Sequence, residues 1–258
     1  MLGLAAGAGA LWHLYGRGNP DAIVAVEPEE ADWLIDLHSA NPQVAEGAEA
    51  HVRQLGAAAV PEIQQALRDP DADAATKKAA MKASGLLGPL AAPVIPAVAE
   101  QLAEPGLTAD AAVALSYLGR EAFQPLRDAL SSEDPVVRSE ALRSLGKLRE
   151  RAPLESKVVI PLLLKGLKDP DTRVRVVAAT YLGIIGQDSE GTVAALIATL
   201  KDADVDVRVA AATALGSFPA QASVIIPALR RATADSNPDV AREAGVAIVK
   251  LQGSRPSK

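Results

Sequence analysis

The hydrophobic residues of this chain recur at helical spacing, and residues 158–186 show the unit that the rest of the chain repeats. The first half of that stretch is apolar and carries Pro161 early, where the fixed φ of proline suits a first helical turn. The second half follows an Asp-Pro-Asp turn, in which an aspartate can cap the free backbone N–H groups of a helix. Its apolar residues Val174, Ala178 and Leu182 then fall at i, i+4 and i+8, on one helical face. The pattern predicts two short helices folded into a hairpin.

The same hairpin pattern recurs along the chain. Its Asp-x-x-Val-Arg motif ends at Arg138, Arg175 and Arg208, and these arginines are 37 and 33 residues apart. Degenerate copies, with Asn for Asp and Ala for Arg, occupy residues 41–45 and 237–241. Leucine-glycine pairs recur where the helices are expected to end: Leu55-Gly56, Leu87-Gly88, Leu118-Gly119, Leu145-Gly146, Leu182-Gly183 and Leu215-Gly216. Self-similarity at this period is typical of an array of stacked hairpins.

These motifs resemble the HEAT family, in particular its short bacterial, phycobilisome-lyase-like repeats. The resemblance rests on a proline-started helix, an Asp-Pro turn, a Val-Arg pair and an alanine-rich helix that ends in Leu-Gly, and it covers roughly residues 28–252. It implies an all-α, right-handed α-solenoid of about seven helical hairpins, with the second helices lining a concave face. Each hairpin of such an array contacts only its neighbours, so no internal domain boundary is expected.

The predicted organisation has three parts: an apolar N-terminal segment with a linker (1–27), the HEAT-repeat solenoid (28–252) and a polar tail expected to be disordered (253–258). Residues 1–16 are apolar but shorter than the roughly 20 residues of a spanning helix, and no charge precedes Arg17. Three interpretations stay open: a truncated signal anchor, a disordered tail, or an extra helix packed on the array. Trp12 and Tyr15 suit a membrane interface. The sequence therefore favours a membrane-anchored or extracytoplasmic bacterial protein over a cytoplasmic one.

Charge and composition narrow the function classes. The net charge of −6 argues against a general nucleic-acid binder, which needs a basic surface. The charge is uneven, because residues 21–50 hold eight acids and no Lys or Arg, whereas residues 138–175 hold ten Lys or Arg against five acids. Solvated helix faces with ion pairs between repeats, or a surface that steers a partner by charge, would each explain this. Cysteine is absent, which excludes disulfides and cysteine-ligated metal centres.

No catalytic motif stands out, and we assign no catalytic residue, cofactor or metal. HEAT-like deoxyhypusine hydroxylases bind iron through His-Glu pairs, and this chain has no His-Glu dipeptide. HEAT-like alkylpurine glycosylases use an aromatic, basic cleft, whereas both tryptophans here precede residue 34. Bilin-lyase-like relatives lack a strong catalytic signature, so that alternative stays open. We expect a non-catalytic scaffold or adaptor that binds a protein partner on its concave face, and the alternative is a bilin-lyase-like chaperone or transferase acting on a protein subunit.

Two sets of residues follow from the repeat register. The motif residues are predicted to form a structural ladder, in which an arginine of one repeat reaches carboxylates or carbonyls at the neighbouring turn: Asp134, Arg138, Asp171, Arg175, Asp204 and Arg208. Positions two and six residues after the valine of each motif should point outward on the second helices, as ordinary solvated surface or as a stripe that binds a partner: Ser139, Arg143, Val176, Thr180, Val209, Thr213, Arg242 and Val246. The identity of the partner and the oligomeric state stay open.

Overall fold

The computed structural model describes residues 33–151, 156–186 and 191–253, and within these ranges the chain is helical without a β-strand. The helices form seven stacked hairpins, so the predicted all-α solenoid is confirmed. In chain order the pairs are α1 (Trp33–Asp36) and α2 (Pro42–Leu55), α3 (Val60–Arg68) and α4 (Ala74–Leu87), α5 (Ile95–Glu100) and α6 (Thr108–Leu115), α7 (Phe123–Ala129) and α8 (Pro135–Arg151), α9 (Ser156–Gly166) and α10 (Thr172–Ile185), α11 (Thr192–Thr199) and α12 (Val205–Leu215), and α13 (Ala222–Ala232) and α14 (Pro238–Gly253).

The second helix of most hairpins begins at a side-chain cap. The carboxylate of Asp171 accepts a hydrogen bond from the backbone N–H of Arg173 at 2.9 Å, and Asp204 caps α12 in the same way. Asn41 and Asn237 do this in the degenerate copies of the motif, because an amide oxygen can accept the same bond. The Asp or Asn of each motif therefore defines where a second helix starts.

Small residues let neighbouring second helices approach closely. A Cβ added to Gly183 would lie 2.7 Å from the Cα of Ala214, and one added to Gly146 would lie 2.0 Å from the ring of Tyr181. Both glycines lie inside helices, α8 and α10, so the expectation that every Leu-Gly pair ends a helix is wrong at these two positions. Their role is to leave room for the next hairpin. Helix α10 ends at Ile185 and is capped by Gly186, whose φ of +58° is the left-handed conformation that glycine tolerates.

The two rows of helices pack differently. The second helices of successive hairpins lie in close contact with one another, whereas the first helices of successive hairpins touch far less. The second helices α2, α4, α6, α8, α10, α12 and α14 therefore form one closely packed row, which we call the inner face.

Within the described residues, the stretch Ala74–Ala103 is long and apolar enough to cross a membrane by length and composition, with a mean hydropathy of 1.4. The bent pair Val205–Leu215 and Pro219–Ala232 passes the same test when its two parts are taken together. Ala74–Ala103 is not one straight helix, since it comprises α4, a 3₁₀ segment at Gly88–Val94, and α5, which pack against α3 and α6. The N-terminal segment on which the membrane expectation depends, residues 1–16, lies outside the described residues, as does nearly all of the tail.

Candidate functional site

Three arginines join consecutive hairpins through one repeated geometry. The guanidinium of Arg175 donates from Nε and Nη2 to both carboxylate oxygens of Asp202, at 2.9 and 3.0 Å. Its Nη1 donates to the backbone carbonyls of Asp169 and Pro170, both at 3.0 Å. Each arginine thus holds the turn of its own hairpin and the turn of the next one. The three bidentate pairs are Arg138–Asp169, Arg175–Asp202 and Arg208–Asp235.

The carboxylates of this ladder are not those of the motif. Asp134, Asp171 and Asp204, which we expected in the ladder, use their side chains to cap α8, α10 and α12 instead. The arginines bind the residue that lies two positions before each following cap. That residue is held in place by its own turn, because Asp202 also accepts the backbone N–H of Asp204 at 2.9 Å. At each of these turns one side chain, that of Asp171, Asp204 or Asn237, therefore starts the helix, while the aspartate two positions earlier binds the preceding hairpin.

The ladder is partly shielded from solvent and stays ionised. Its six side chains are only 13–16% exposed. Burial raises the pKa of Asp169. The hydrogen bonds from Arg138, the hydrogen bond from the backbone N–H of Asp171 and the positive charge of Arg138 together more than offset this, so the pKa lies below the ordinary value for aspartate. The pKa of Asp202 is lowered in the same way, and the hydrogen bond from Arg208 lowers the pKa of Asp235. The arginines and aspartates of the ladder each keep one charge state and make several hydrogen bonds, which suits a structural role in joining consecutive hairpins.

A groove of about 850 Å³ crosses α8, α10 and α12 on the inner face. Its apolar lining includes Val176, Val209 and Ile184, and the Ile184 side chain is 54% exposed. The charged lining residues are mostly paired within the chain: Arg143 lies 3.3 Å from Glu140, and Arg173 lies 3.2 Å from Asp171. The groove is therefore an apolar recess with charged groups around it.

Six of the eight residues predicted to form the partner-binding stripe line this groove: Ser139, Arg143, Val176, Thr180, Val209 and Thr213. The other two, Arg242 and Val246, are exposed on α14 and do not line it. Ser139 departs from the outward orientation we expected, because its side chain is 5% exposed and its hydroxyl donates to the carbonyl of Val136. At Arg242 the guanidinium is engaged by Asp239 and Glu243 on its own helix.

Several lining residues were missed by the sequence reasoning. Ile184 lies four residues after Thr180, and Asp206 lies three before Val209. Both continue the predicted partner-binding stripe, which included only two positions on each helix. Extending the helical i, i+3 and i, i+4 spacings by one turn in each direction would have found them. Val136 and Arg173 are missed for the same reason.

A smaller groove of about 360 Å³ lies on α4 and α6. It is lined by Met81, Val113 and Tyr117 among others, and Lys78 Nζ lies 3.5 Å from Asp110 Oδ2 at its side. Both grooves therefore open on the row of second helices. Across the described ranges, no group of three or more His, Asp or Glu residues is placed to hold a metal ion.

The hairpin stack, its close-packed inner row and its arginine ladder define an α-solenoid of the repeat-protein class. The family model for HEAT repeats matches residues 124–199 and 193–257, and the chain belongs to the HEAT-repeat family. These residues hold the four hairpins joined by the ladder.

Comparison with known proteins adds one curated relative and several solved structures. The bilin biosynthesis protein MpeU of Synechococcus sp. (strain WH8020) is 34% identical over 79 residues, which are 31% of this chain and 26% of that protein. The chain thus spans about a quarter of the length of that relative.

The solved structures establish a likeness of fold. Kap121p superposes with a TM-score of 0.62 at 13% identity, over 81% of this chain and 28% of that one. The complex of CpcE and CpcF of phycocyanin lyase from Nostoc sp. PCC7120 gives a TM-score of 0.51 at 21% identity, over 60% of this chain and 98% of that one.

Proposed function

We propose that this protein is a non-catalytic scaffold that holds a protein partner on its inner face. The observation that carries the proposal is the groove across α8, α10 and α12, whose lining includes Ile184, which is more than half exposed, and the partly buried Val176 and Val209. Apolar side chains gathered in a recess and rimmed by polar groups mark an interaction site more often than isolated surface residues do. The groove is also open and wide, which suits a macromolecular surface.

The chemistry of the groove favours binding over catalysis. Most of its ionic residues are held in pairs, as between Glu140 and Arg143, and Thr180 donates its hydroxyl to the carbonyl of Val176 at 2.8 Å. Groups with such partners add shape and polarity to a surface and are not free to act as an acid or a base. The net charge of −6 favours a protein over a nucleic acid as the partner.

A capture experiment with a matched pair of variants tests the scaffold. Ile184→Asp places a charge in the groove, whereas Val224→Asp places the same charge at a 62% exposed valine on α13, a first helix away from the groove. Immobilised wild type and the Val224→Asp variant should capture the same partner from native extract, and Ile184→Asp should lose it. Equal capture by both folded variants would contradict an inner-face scaffold.

The second function we consider is a bilin-lyase-like chaperone or transferase, and the similarity to a bilin biosynthesis protein favours it. That similarity covers less than a third of this chain. On this alternative, the protein purified from its native host should carry a tetrapyrrole with visible absorption, or should increase pigment attachment to a protein subunit in a reconstituted mixture. A scaffold alone predicts neither result.

A further inference from the structure

The first helices of the last three hairpins, α9, α11 and α13, contain basic residues but no Asp or Glu. Five exposed cations lie on these helices or within two residues of their C-terminal ends: Lys165, Lys168, Lys201, Arg230 and Arg231. Within the described residues, none of these five side chains forms an ion pair. Soluble surfaces generally carry both signs of charge, so a face with cations alone is a distinct electrostatic feature.

The exposed positions of these three helices form straight rows, because the last three hairpins repeat every 33 residues without a gap. Positions i, i+3 and i+7 lie on one face of a helix, and on α9 these are Val158, Pro161 and Lys165. The four rows are Val158, Gly191 and Val224; Pro161, Ala194 and Pro227; Lys165, Ala198 and Arg231; and Lys168, Lys201 and Ala234, and every one of these residues is exposed. We call this the outer surface. Its apolar half lies at the helix starts, and its basic half lies at the helix ends.

The preceding hairpin does not continue the outer surface. The equivalent positions on and around α7 are Glu121, Gln124, Asp128 and Ser131, all exposed. Asp128 accepts a hydrogen bond from Gln124 Nε2 at 2.7 Å, so this part of the row is polar and acidic. The basic and apolar character therefore begins at α9 and is confined to the last three hairpins.

The carboxylates closest in sequence do not neutralise the outer surface. Asp169 and Asp202 each follow one of its lysines, but both are held by ladder arginines and are only 14% and 15% exposed. Asp204 caps α12, and Asp206 lines the groove on the inner face. The positive charge of the outer surface therefore stays available to a ligand.

The combination of cations and exposed aliphatic residues favours a lipid surface over an acidic protein segment. The side chains of Val158 and Val224 are 39% and 62% exposed. At the interface of an anionic bilayer, lysines and arginines contact lipid phosphates while aliphatic side chains reach the boundary of the acyl chains. A strongly acidic protein segment would pair with the cations but leave the valines and prolines in water.

We propose that the outer surface of α9, α11 and α13 binds the surface of anionic membranes. This inference goes beyond the proposed scaffold function. The groove lies on the second helices, on the other side of each hairpin, so it stays open to a protein partner while the outer surface rests on lipid. Because the chain as a whole has a net charge of −6, binding depends on this local group of cations and is sensitive to salt.

Co-sedimentation of the full chain with lipid vesicles tests the inference. One set of vesicles contains phosphatidylcholine alone, and the other contains phosphatidylcholine with about one-third phosphatidylglycerol. At low salt the chain should bind the anionic vesicles at least about tenfold more tightly than the neutral ones, and high salt should remove this difference. Equal binding to both kinds of vesicle would overturn the inference, because it would assign membrane binding to apolar insertion alone.

Two double variants with the same change of net charge locate the binding. Lys165→Glu with Arg231→Glu reverses two charges of one row and should weaken binding to anionic vesicles at least about tenfold. Arg68→Glu with Arg120→Glu, at exposed positions on other hairpins, should weaken it much less. Equal losses in two variants that circular dichroism shows to be folded would overturn the inference. Binding of soluble polyglutamate without binding of anionic vesicles would also overturn it, and would assign the outer surface to an acidic protein.

Single variants separate this inference from the scaffold. Val224→Asp should weaken vesicle binding at least about threefold and leave capture of the protein partner unchanged, whereas Ile184→Asp should abolish capture and leave vesicle binding unchanged. If anionic vesicles bind as expected and capture does not depend on Ile184, the scaffold fails and the membrane surface stands. If capture depends on Ile184 and anionic vesicles are not bound, the membrane inference fails and the scaffold stands.

Discussion

At the scale of single residues, the ladder shows how one side chain can specify a contact between repeats. Arg175 makes four hydrogen bonds at about 3 Å, two to a carboxylate of the next hairpin and two to carbonyls of its own turn. Both partners are largely shielded from water, where charge-assisted bidentate bonds are strongest. Removing one partner leaves the other charge desolvated without compensation, which is the costly case.

We therefore expect Asp202→Asn to lower the free energy of unfolding by about 1–3 kcal/mol, because Arg175 loses its charged acceptor. Asp206→Asn, four residues later on the exposed start of α12, is the matched control and should change stability by less than about 0.5 kcal/mol. Urea denaturation followed by circular dichroism measures both. Equal effects of the two substitutions would show that the ladder does not contribute to the free energy of unfolding.

Two helical glycines give a second test at this scale. Gly183→Ala would place its methyl carbon 2.7 Å from the backbone of Ala214, which cannot move without shifting α12, so we expect a loss of about 1–3 kcal/mol. Gly245→Ala on α14 meets no atom within 4 Å. Because alanine favours the helix over glycine, this change should stabilise the protein by about 0.5–1 kcal/mol. Thermal unfolding that shifts in the same direction for both variants would contradict the close approach of α10 and α12.

At the scale of the elements, each second helix combines a start signal, a packing face and an open face. The caps and the apolar stripe arise from residues close together in sequence, so each helix is specified locally. The ladder then sets the register between consecutive hairpins. Its carboxylates make this register sensitive to acid.

The pKa values of Asp169, Asp202 and Asp235 are lowered in the folded chain. A group with a lowered pKa contributes stability above its unfolded pKa of about 4, and that contribution is lost as the pH falls through the lower folded value. Wild type should therefore lose thermal stability below about pH 4 more steeply than Asp202→Asn, which lacks one of these groups. Melting curves from pH 7 to pH 2.5 measure the difference, and parallel pH profiles would contradict it.

At the scale of the whole molecule, stability is distributed along the stack. Each hairpin contacts its neighbours, and the interior hairpins that carry α10 and α12 have ladder contacts on both sides. We expect hydrogen exchange to be slowest in α10 and α12 and faster in α2 and α14, because opening spreads from the ends of such an array. Mass spectrometry of exchanged peptides measures this. Uniform protection along the stack would indicate a single cooperative unit instead.

The sequence by itself determined the repeat, the class of fold and the helix starts, because these depend on short-range signals. The apolar positions of a helix lie within a few residues of one another, and an aspartate caps the helix that follows it directly. Positions such as Thr180 and Thr213 could be placed on the inner face because the same periodicity that buries Val174 and Val207 turns them outward.

Only the tertiary structure decided which residues meet across hairpins. The pairing of Arg138 with Asp169, in place of a motif aspartate, depends on the register between hairpins, which spans about 30 residues and leaves no local signal. The role of Gly183 as a point of close approach depends on the position of Ala214 in the next hairpin. The groove is lined by three second helices packed side by side, so its lining, including Ile184, is a property of the stack and not of any one repeat.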